Sequence, residues 1–254
     1  MHDWFRVISE SCSVSAKVIR DLDDIGFVVI PSVITSGDLM QLALAYDSAF
    51  ASASPNSKKI GSLTTRVNGF LNHGAEFDGL YVYQPLLEAS CYLIGQPFKL
   101  SSLHARTLHP NSQPQSLHID FKMNEERFPM AGFILMVDDF RNDNGATRFV
   151  PGSHKWTTVP NDLPAECLED YENQTVPACG QAGSMIVFNG SIWHGHSANI
   201  TGMPRRSLQG AYIPHGEQAG IDFQATMPSE AVTRLSPLAK YLLAVNHCLS
   251  NFGL

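Results

Sequence analysis

From residue 98 onward the chain is cut into short apolar runs, roughly 98–109, 117–121, 131–138, 147–150, 184–189, 192–197 and 206–213, separated by clusters of Gly, Pro, Asn and Asp. Runs this short with turn signals at such intervals predict an antiparallel sandwich or barrel. No βαβ alternation and no repeat of fixed period competes with that reading. The residues before 98 have another rhythm. Val14, Val18 and Leu22 recur every four residues and predict a helix that Gly26 stops, followed by a buried strand at 27–30 running into Pro31. A second helix starts after Thr35 or Ser36, with Leu39, Leu42, Tyr46 and Phe50 on one face. The stretch 51–59 reads as a flexible loop, and 84–94 as a third helix ended by Gly95 and Pro97. A last helix is expected at about 229–250. No linker divides the 254 residues, so one domain is expected: a helical part to about 97, a β core from about 98 to 215, and the closing helix.

Charge and composition remove several function classes. Seventeen Lys and Arg against 24 Asp and Glu give a net charge of −7, which disfavours a nucleic-acid footprint. No uninterrupted apolar run exceeds five residues, the length of 133–137, whereas a spanning helix needs about 20, so no membrane partner is expected. The start, MHDWFRVISES, shows no secretory pattern. Five cysteines without CxxC spacing argue against a disulfide framework or zinc ribbon and suggest a reducing cytoplasm. Residues 155–180 form a long acidic interruption with Glu166, Glu169, Asp170 and Glu172, which reads either as a lid or as a tolerated surface insertion.

The histidines carry the chemistry. In SLHIDF, alternation on an expected strand turns His118 and Asp120 to one side and Ile119 to the other, which offers two metal ligands from three residues. A third is available in FNGSIWHGHSAN, where His194 and His196 lie on one face and residue pattern alone does not choose between them. Two imidazoles and a carboxylate on one side of a metal leave adjacent positions open, which suits non-haem Fe(II) binding a chelating co-substrate and O2. Arg205 follows a turn containing Gly202 and Pro204. Its strand would bring a forked guanidinium to the pocket floor, able to hold a carboxylate, with the Ser207 hydroxyl on the same face and Arg206 on the opposite one at the surface. PGSH at 151–154 reads as a turn whose Ser153 and His154 bond backbone groups, and Trp193 as core.

Taken together, HxD, the loop NGATRFVPGSHKW (144–156), the strand GSMIVFNGSIWHGHSANITGMPRRS (183–207) and the opening DLDDIGFVVIPSVITSGDL (21–39) resemble the phytanoyl-CoA dioxygenase family of Fe(II)- and 2-oxoglutarate-dependent oxygenases. The resemblance implies a mainly β double-stranded β-helix, a cupin-like jelly roll with flanking helices. It makes His118, Asp120 and His194 the iron ligands, because the intervals from His194 to Asn199 and Arg205 match the family's, and it leaves His196 beside them. Arg205 becomes the anchor for the distal carboxylate of 2-oxoglutarate, with Ser207 next to it and Gln115 and Thr147 near the co-substrate. Arg66 in TTRVNGF either reaches the site or lies at the surface. The implied cofactors are Fe(II), 2-oxoglutarate and O2, and the implied reaction is hydroxylation of a C–H bond in a small organic molecule, with desaturation or ring closure as variants. No basic cluster marks a coenzyme A site. Two rivals remain: a non-redox, cupin-like metal protein or isomerase, for which a carboxylate anchor is superfluous, and an inactive scaffold, against which the intact triad argues.

Overall fold

The computed structural model describes residues 3–31, 34–121 and 129–245. The chain opens with α1 (Trp4–Glu10) and α2 (Ala16–Asp24), capped by the Asp3 carboxylate and Ser15 hydroxyl accepting from the amides of Arg6 and Val18. Such caps are worth about 1 kcal/mol each. The sequence pattern predicts only α2, because α1 buries little beyond Ile8. Gly26, at φ +88°, ends α2, and a Cβ there would meet His154 Nδ1 at 2.4 Å, so both conformation and space demand glycine. Strand β1 (Phe27–Ile30) then leads to α3 (Ser36–Ser52), whose Leu42 and Tyr46 face inward, the Tyr46 hydroxyl bonding Thr107.

The expected loop at 51–59 shrinks to 53–57, since β2 (Lys58–Ile60) and β3 (Thr64–Asn68) form a hairpin in which Thr65 and Val67 are buried. After α4 (Gln84–Ile94) come β4 (Phe98–Leu108), β5 (Ala131–Met136) and β6 (Thr147–Phe149). Next are α5 (Ala165–Glu172), β7 (Val176–Pro177), β8 (Met185–Asn189), β9 (His194–His196) and β10 (Arg205–Pro214). The expected closing helix is instead α6 (Phe223–Thr226), α7 (Ser229–Arg234) and α8 (Pro237–Leu242). Leu235 is extended ahead of the Ser236 cap and Pro237, because a residue close before proline leaves the helical region and Pro237 starts a new helix. The remainder of that expected helix, 246–250, and Cys248 lie outside the described residues.

All strand pairs are antiparallel. The larger sheet runs β1-β8-β5-β10-β4-β3-β2, and a smaller one runs β7-β6-β9. Period-two alternation assigns the faces of the large sheet. Phe133, Leu135, Leu208, Leu103 and Val187 point outward and pack with Leu86, Leu87 and Ala89 of α4. Ile134, Met136, Ile186 and Phe188 point inward and meet Phe149, Phe140 and Ala146 beneath the small sheet. Phe149 is completely buried and stacks on Phe27 at 4.4 Å between centroids. Burying such a side chain stabilises the fold by about 1.5–3 kcal/mol. This two-sheet layout is the expected jelly roll.

One expected strand is absent. Residues 117–121 make a single bridge, His118 to His194, because the amides of Asp120 and Phe121 both donate to the Gly190 carbonyl and so end ladder alternation. The acidic interruption packs on the outside: Trp156 and Tyr171 meet Trp193 edge-on, and Glu172 pairs with Arg148 at 2.8 Å. Among the described residues none of 155–180 borders the cavity between the sheets, and Trp156 and Tyr171 cover Trp193 instead.

Candidate metal and co-substrate site

On β4 and β10 the inner face of the large sheet turns from apolar to polar. Ser102, His104, Arg106, Arg205 and Gln209 replace the hydrocarbon of the neighbouring strands and border a cavity of about 470 Å³. Across that cavity stands β9. The amides and carbonyls of His118 and His194 exchange hydrogen bonds of 2.9 Å, so the loop carrying HxD lies against the strand carrying the third histidine. Gly195 makes this approach possible: a Cβ there would sit 2.7 Å from the Gln115 carbonyl oxygen and 3.2 Å from that of Ser116.

Asp120 Oδ1 lies 3.9 Å from His118 Nε2 and 3.7 Å from His194 Nε2, and one ligand atom from each of the three lies within 4.8 Å of the others. Among the described residues no other such group of three His, Cys, Asp or Glu side chains occurs. Each imidazole places Nδ1 on a backbone carbonyl, His118 on Ser116 at 3.3 Å and His194 on Ile192 at 3.0 Å. With the Nδ1 protons given to those carbonyls, both Nε2 lone pairs face the carboxylate, the orientation that metal-ligating histidines take from their outer partners. Burial, and next the adjacent His194, pull His118 down to about 4, so it is neutral and ready to ligate near pH 7. His196 borders the same cavity from the far end of β9 but is not in the cluster: its Nδ1 meets the Ser197 carbonyl and its Nε2 is buried with no partner.

Arg205 is 2% exposed, and its Nε and Nη1 are buried with no hydrogen-bond partner. Its guanidinium lies over the Phe140 ring at 3.9 Å, and burial, followed by the nearby Arg106, lowers it to about 9. A forked cation with idle donors facing a cavity is a receptor for an oxyanion. Arg206, on the opposite face as expected, is not a free surface group. It is half-buried and donates to Asp138 at 2.6 Å and Asp47 at 2.8 Å.

The remaining expected residues divide. Thr147, opposite His196 in the ladder, borders the cavity. Gln115 does too, with its Oε1 accepting from Arg106 at 3.2 Å. Arg66 reaches the cavity rim. Ser207 does not border it: its hydroxyl is spent on the Arg106 carbonyl at 3.0 Å, which corrects the expectation of a free donor beside Arg205. Ser153 and His154 hold backbone groups, at Val150 and Asp23, and Trp193 is core. Sequence reasoning missed Arg106, Gln209 and the place of His104. Their signal is the alternation in LSSLHARTL, where Leu103 and Ala105 face the outer core and Ser102, His104 and Arg106 face the cavity.

A model of the family described as phytanoyl-CoA dioxygenase matches residues 22–207. Dioxygenase af480 of Aspergillus fumigatus is 29% identical over 170 residues, covering 63% of this chain and 52% of that protein, so the match spans about half the relative's length. The structure of the epimerase SnoN in complex with Fe3+, alpha ketoglutarate and nogalamycin RO superposes with a TM-score of 0.67 at 18% identity, covering 78% of this chain and 83% of that one. HygX from Streptomyces hygroscopicus, with nickel, 2-oxoglutarate and hygromycin B bound, gives 0.66 at 18% identity, with coverage of 81% and 90%. At these identities the two structures establish a shared fold.

Proposed function

This chain belongs to the phytanoyl-CoA dioxygenase family, and on that premise we propose that it is an Fe(II)- and 2-oxoglutarate-dependent oxygenase whose iron is held by His118, Asp120 and His194. The donor set fits the metal: two neutral imidazoles and one carboxylate converge from one side and leave the cavity side open. The observation that carries the reading is Arg205, buried in the same cavity with two donor nitrogens unpaired. A bare metal site needs no second anion receptor, so the non-redox cupin reading is not favoured, and an inactive scaffold has no reason to keep a buried guanidinium unpaired.

Each side chain then has a task. Arg205 holds the distal carboxylate of 2-oxoglutarate through its fork, with its charge screened by little water. Gln115, whose oxygen is engaged by Arg106, keeps its NH2 group for the co-substrate. Thr147 offers a hydroxyl from β6. Ser207 acts at one remove, tying β10 to β4 beside Arg205. When bound, the iron and 2-oxoglutarate supply the power to oxidise a substrate C–H bond with O2, releasing succinate and CO2. The protein supplies position and, in Arg205, an anchor buried away from water.

Hydroxylation of a small organic substrate is the outcome proposed, since it needs no further device. The chain acts as one catalytic unit of about 1–97, 98–215 and the C-terminal helices. Among the described residues no helix is long and apolar enough to cross a membrane. The four described cysteines are free, which supports a reducing compartment such as the cytoplasm. The test is succinate formation from 2-oxoglutarate: it should require Fe(II) and O2 together and vanish in His118→Ala. Turnover without added iron or in a rigorously chelated sample would overturn the reading.

A further inference from the structure

The segment that carries His118 and Asp120 is joined to β9 by a single bridge, His118 to His194, rather than by a ladder. A stretch with so few backbone bonds opens easily unless its side chains are held. Its own alternation shows where they go. His118 and Asp120 face the cavity, while Leu117 and Ile119 turn the other way into a small apolar cluster with Val150 and Trp193. Leu117, Val150 and Trp193 are buried there, and Trp193 directly precedes His194. The chain neighbours of both histidines thus root in one cluster, behind the three side chains that converge in front.

The outer wall of that cluster comes from the acidic interruption. Leu163, with Leu168 and Tyr171 of α5, packs against it, and Tyr171 meets Trp193 edge-on at 5.0 Å. A polar clamp lies beside the apolar one. Alternation on β6 turns Arg148 away from the cavity that Thr147 borders. Its Nη2 donates to the Gln115 carbonyl at 3.0 Å and to Glu172 Oε2, at the end of α5, at 2.8 Å. The Gln115 amide donates in turn to the His196 carbonyl at 3.0 Å, so the stretch leading into HxD is pinned between β9 and Arg148. Arg148 is buried, and Glu172 is its ion-pair partner among the described residues. Removing the carboxylate would leave a buried charge uncompensated and loosen the arginine that holds Gln115.

We propose that α5 is the positioning element of the metal site: Leu168 and Tyr171 from the apolar side, and Glu172 through Arg148, hold the HxD segment against β9 so that His118 and Asp120 meet His194 at ligand spacing. This rests on the iron reading of the triad. None of these α5 residues touches the cavity, so they act through Leu117, Ile119 and Gln115. With the backing in place the ligands stand ready before a metal arrives. Without it, part of the free energy of metal binding is consumed in ordering the segment, and affinity falls. The interruption at 155–180 is on this account neither a lid nor an idle insertion, because it acts on the site from behind.

The experiment compares Leu168→Ala and Glu172→Gln with Leu86→Ala, a cavity variant in the outer core, all in the full chain. Three quantities are read: Ni(II) affinity by calorimetric titration, amide hydrogen exchange of residues 115–121 in the metal-free protein, and the thermal midpoint. Leu168→Ala and Glu172→Gln should each lower Ni(II) affinity by about tenfold or more and speed exchange at 115–121, as the loss of an outer support does. Leu86→Ala should lower the midpoint at least as far, yet keep Ni(II) affinity within about twofold and leave exchange at 115–121 unchanged, because a distant site does not couple to the ligands. Arg148→Lys, which keeps the charge and a donor, should retain more Ni(II) affinity than Arg148→Met. The proposal is overturned if both α5 variants keep Ni(II) affinity within about twofold of the wild type. It is equally overturned if exchange at 115–121 does not change in them, or if Leu86→Ala weakens Ni(II) as much as they do. Failure of the wild type to bind Ni(II) counts against the iron reading alone, because the hold of α5 on 115–121 is measured without metal.

Discussion

Replacing Arg205 by alanine separates the role of this arginine from that of its neighbour. In the folded protein Arg205 contributes two buried, unpaired nitrogens to the cavity and rests on Phe140, so its removal leaves the surrounding protein hydrogen bonds almost untouched. What it removes is a charge-assisted, forked contact to a carboxylate, worth about 1.5–3 kcal/mol, or roughly a 10- to 150-fold loss of 2-oxoglutarate affinity. The affinity of the metal site itself should change little. Arg205→Lys keeps the charge but not the fork and should fall between. Arg206→Ala is the matched control. It breaks the contacts to Asp138 and Asp47, so it should lower the midpoint of unfolding while sparing 2-oxoglutarate. The assay is calorimetric titration of 2-oxoglutarate into the metal-loaded protein, paired with a thermal melt of each variant. A normal 2-oxoglutarate affinity in Arg205→Ala with a large loss in Arg206→Ala would refute the assignment and place the anchor on the other face of β10.

Three further outcomes follow from particular residues. Gly195→Ala forces its Cβ against the Gln115 and Ser116 carbonyl oxygens, so it should part β9 from the HxD segment and weaken metal binding by about tenfold or more, measured by metal titration; unchanged affinity would mean that the contact is slack. His104 is lowered to about 3 by burial, and next by Arg66, so it is neutral in the fold. Its contribution to stability is then complete above the unfolded value near 6.5 and is lost as pH falls toward 3. Denaturant titrations should show that loss reduced in His104→Gln, and an identical pH profile would contradict it. Finally, with Asp120 as the proposed carboxylate ligand, no coordination position is left for a halide. Products formed in excess chloride should gain oxygen or lose two hydrogens, and a chlorinated major product by mass spectrometry would contradict the ligand set.

Much of the site was legible because its residues stand in short local patterns. HxD, the interval from His194 to Arg205, and the turn residues of PGSH each depend on neighbours in the chain, and the structure gathers the first two around one cavity. The choice between His194 and His196 was not local. Both belong to β9, and the difference lies in which one faces Asp120 across the Gly195 contact, a fact about two segments far apart in sequence. Arg106 and Gln209 were hidden for a similar reason: a polar residue on a half-apolar strand reads as solvent-facing until the second sheet is in place. Ser207 misled because sharing a face with Arg205 does not decide where a hydroxyl spends its proton. In the fold, the long strands and α2, α3 and α4 are visible in the sequence, whereas the β2–β3 hairpin is concealed in a polar stretch and the break before Pro237 interrupts an otherwise helical pattern.

The central claim is the iron site, and the most direct test of it is anaerobic titration of Fe(II) into the metal-free protein and its single-histidine variants. One Fe(II) per chain should bind to the wild type and to His196→Ala, and binding should be lost in His118→Ala and His194→Ala. Iron retained in His194→Ala but lost in His196→Ala would contradict the account.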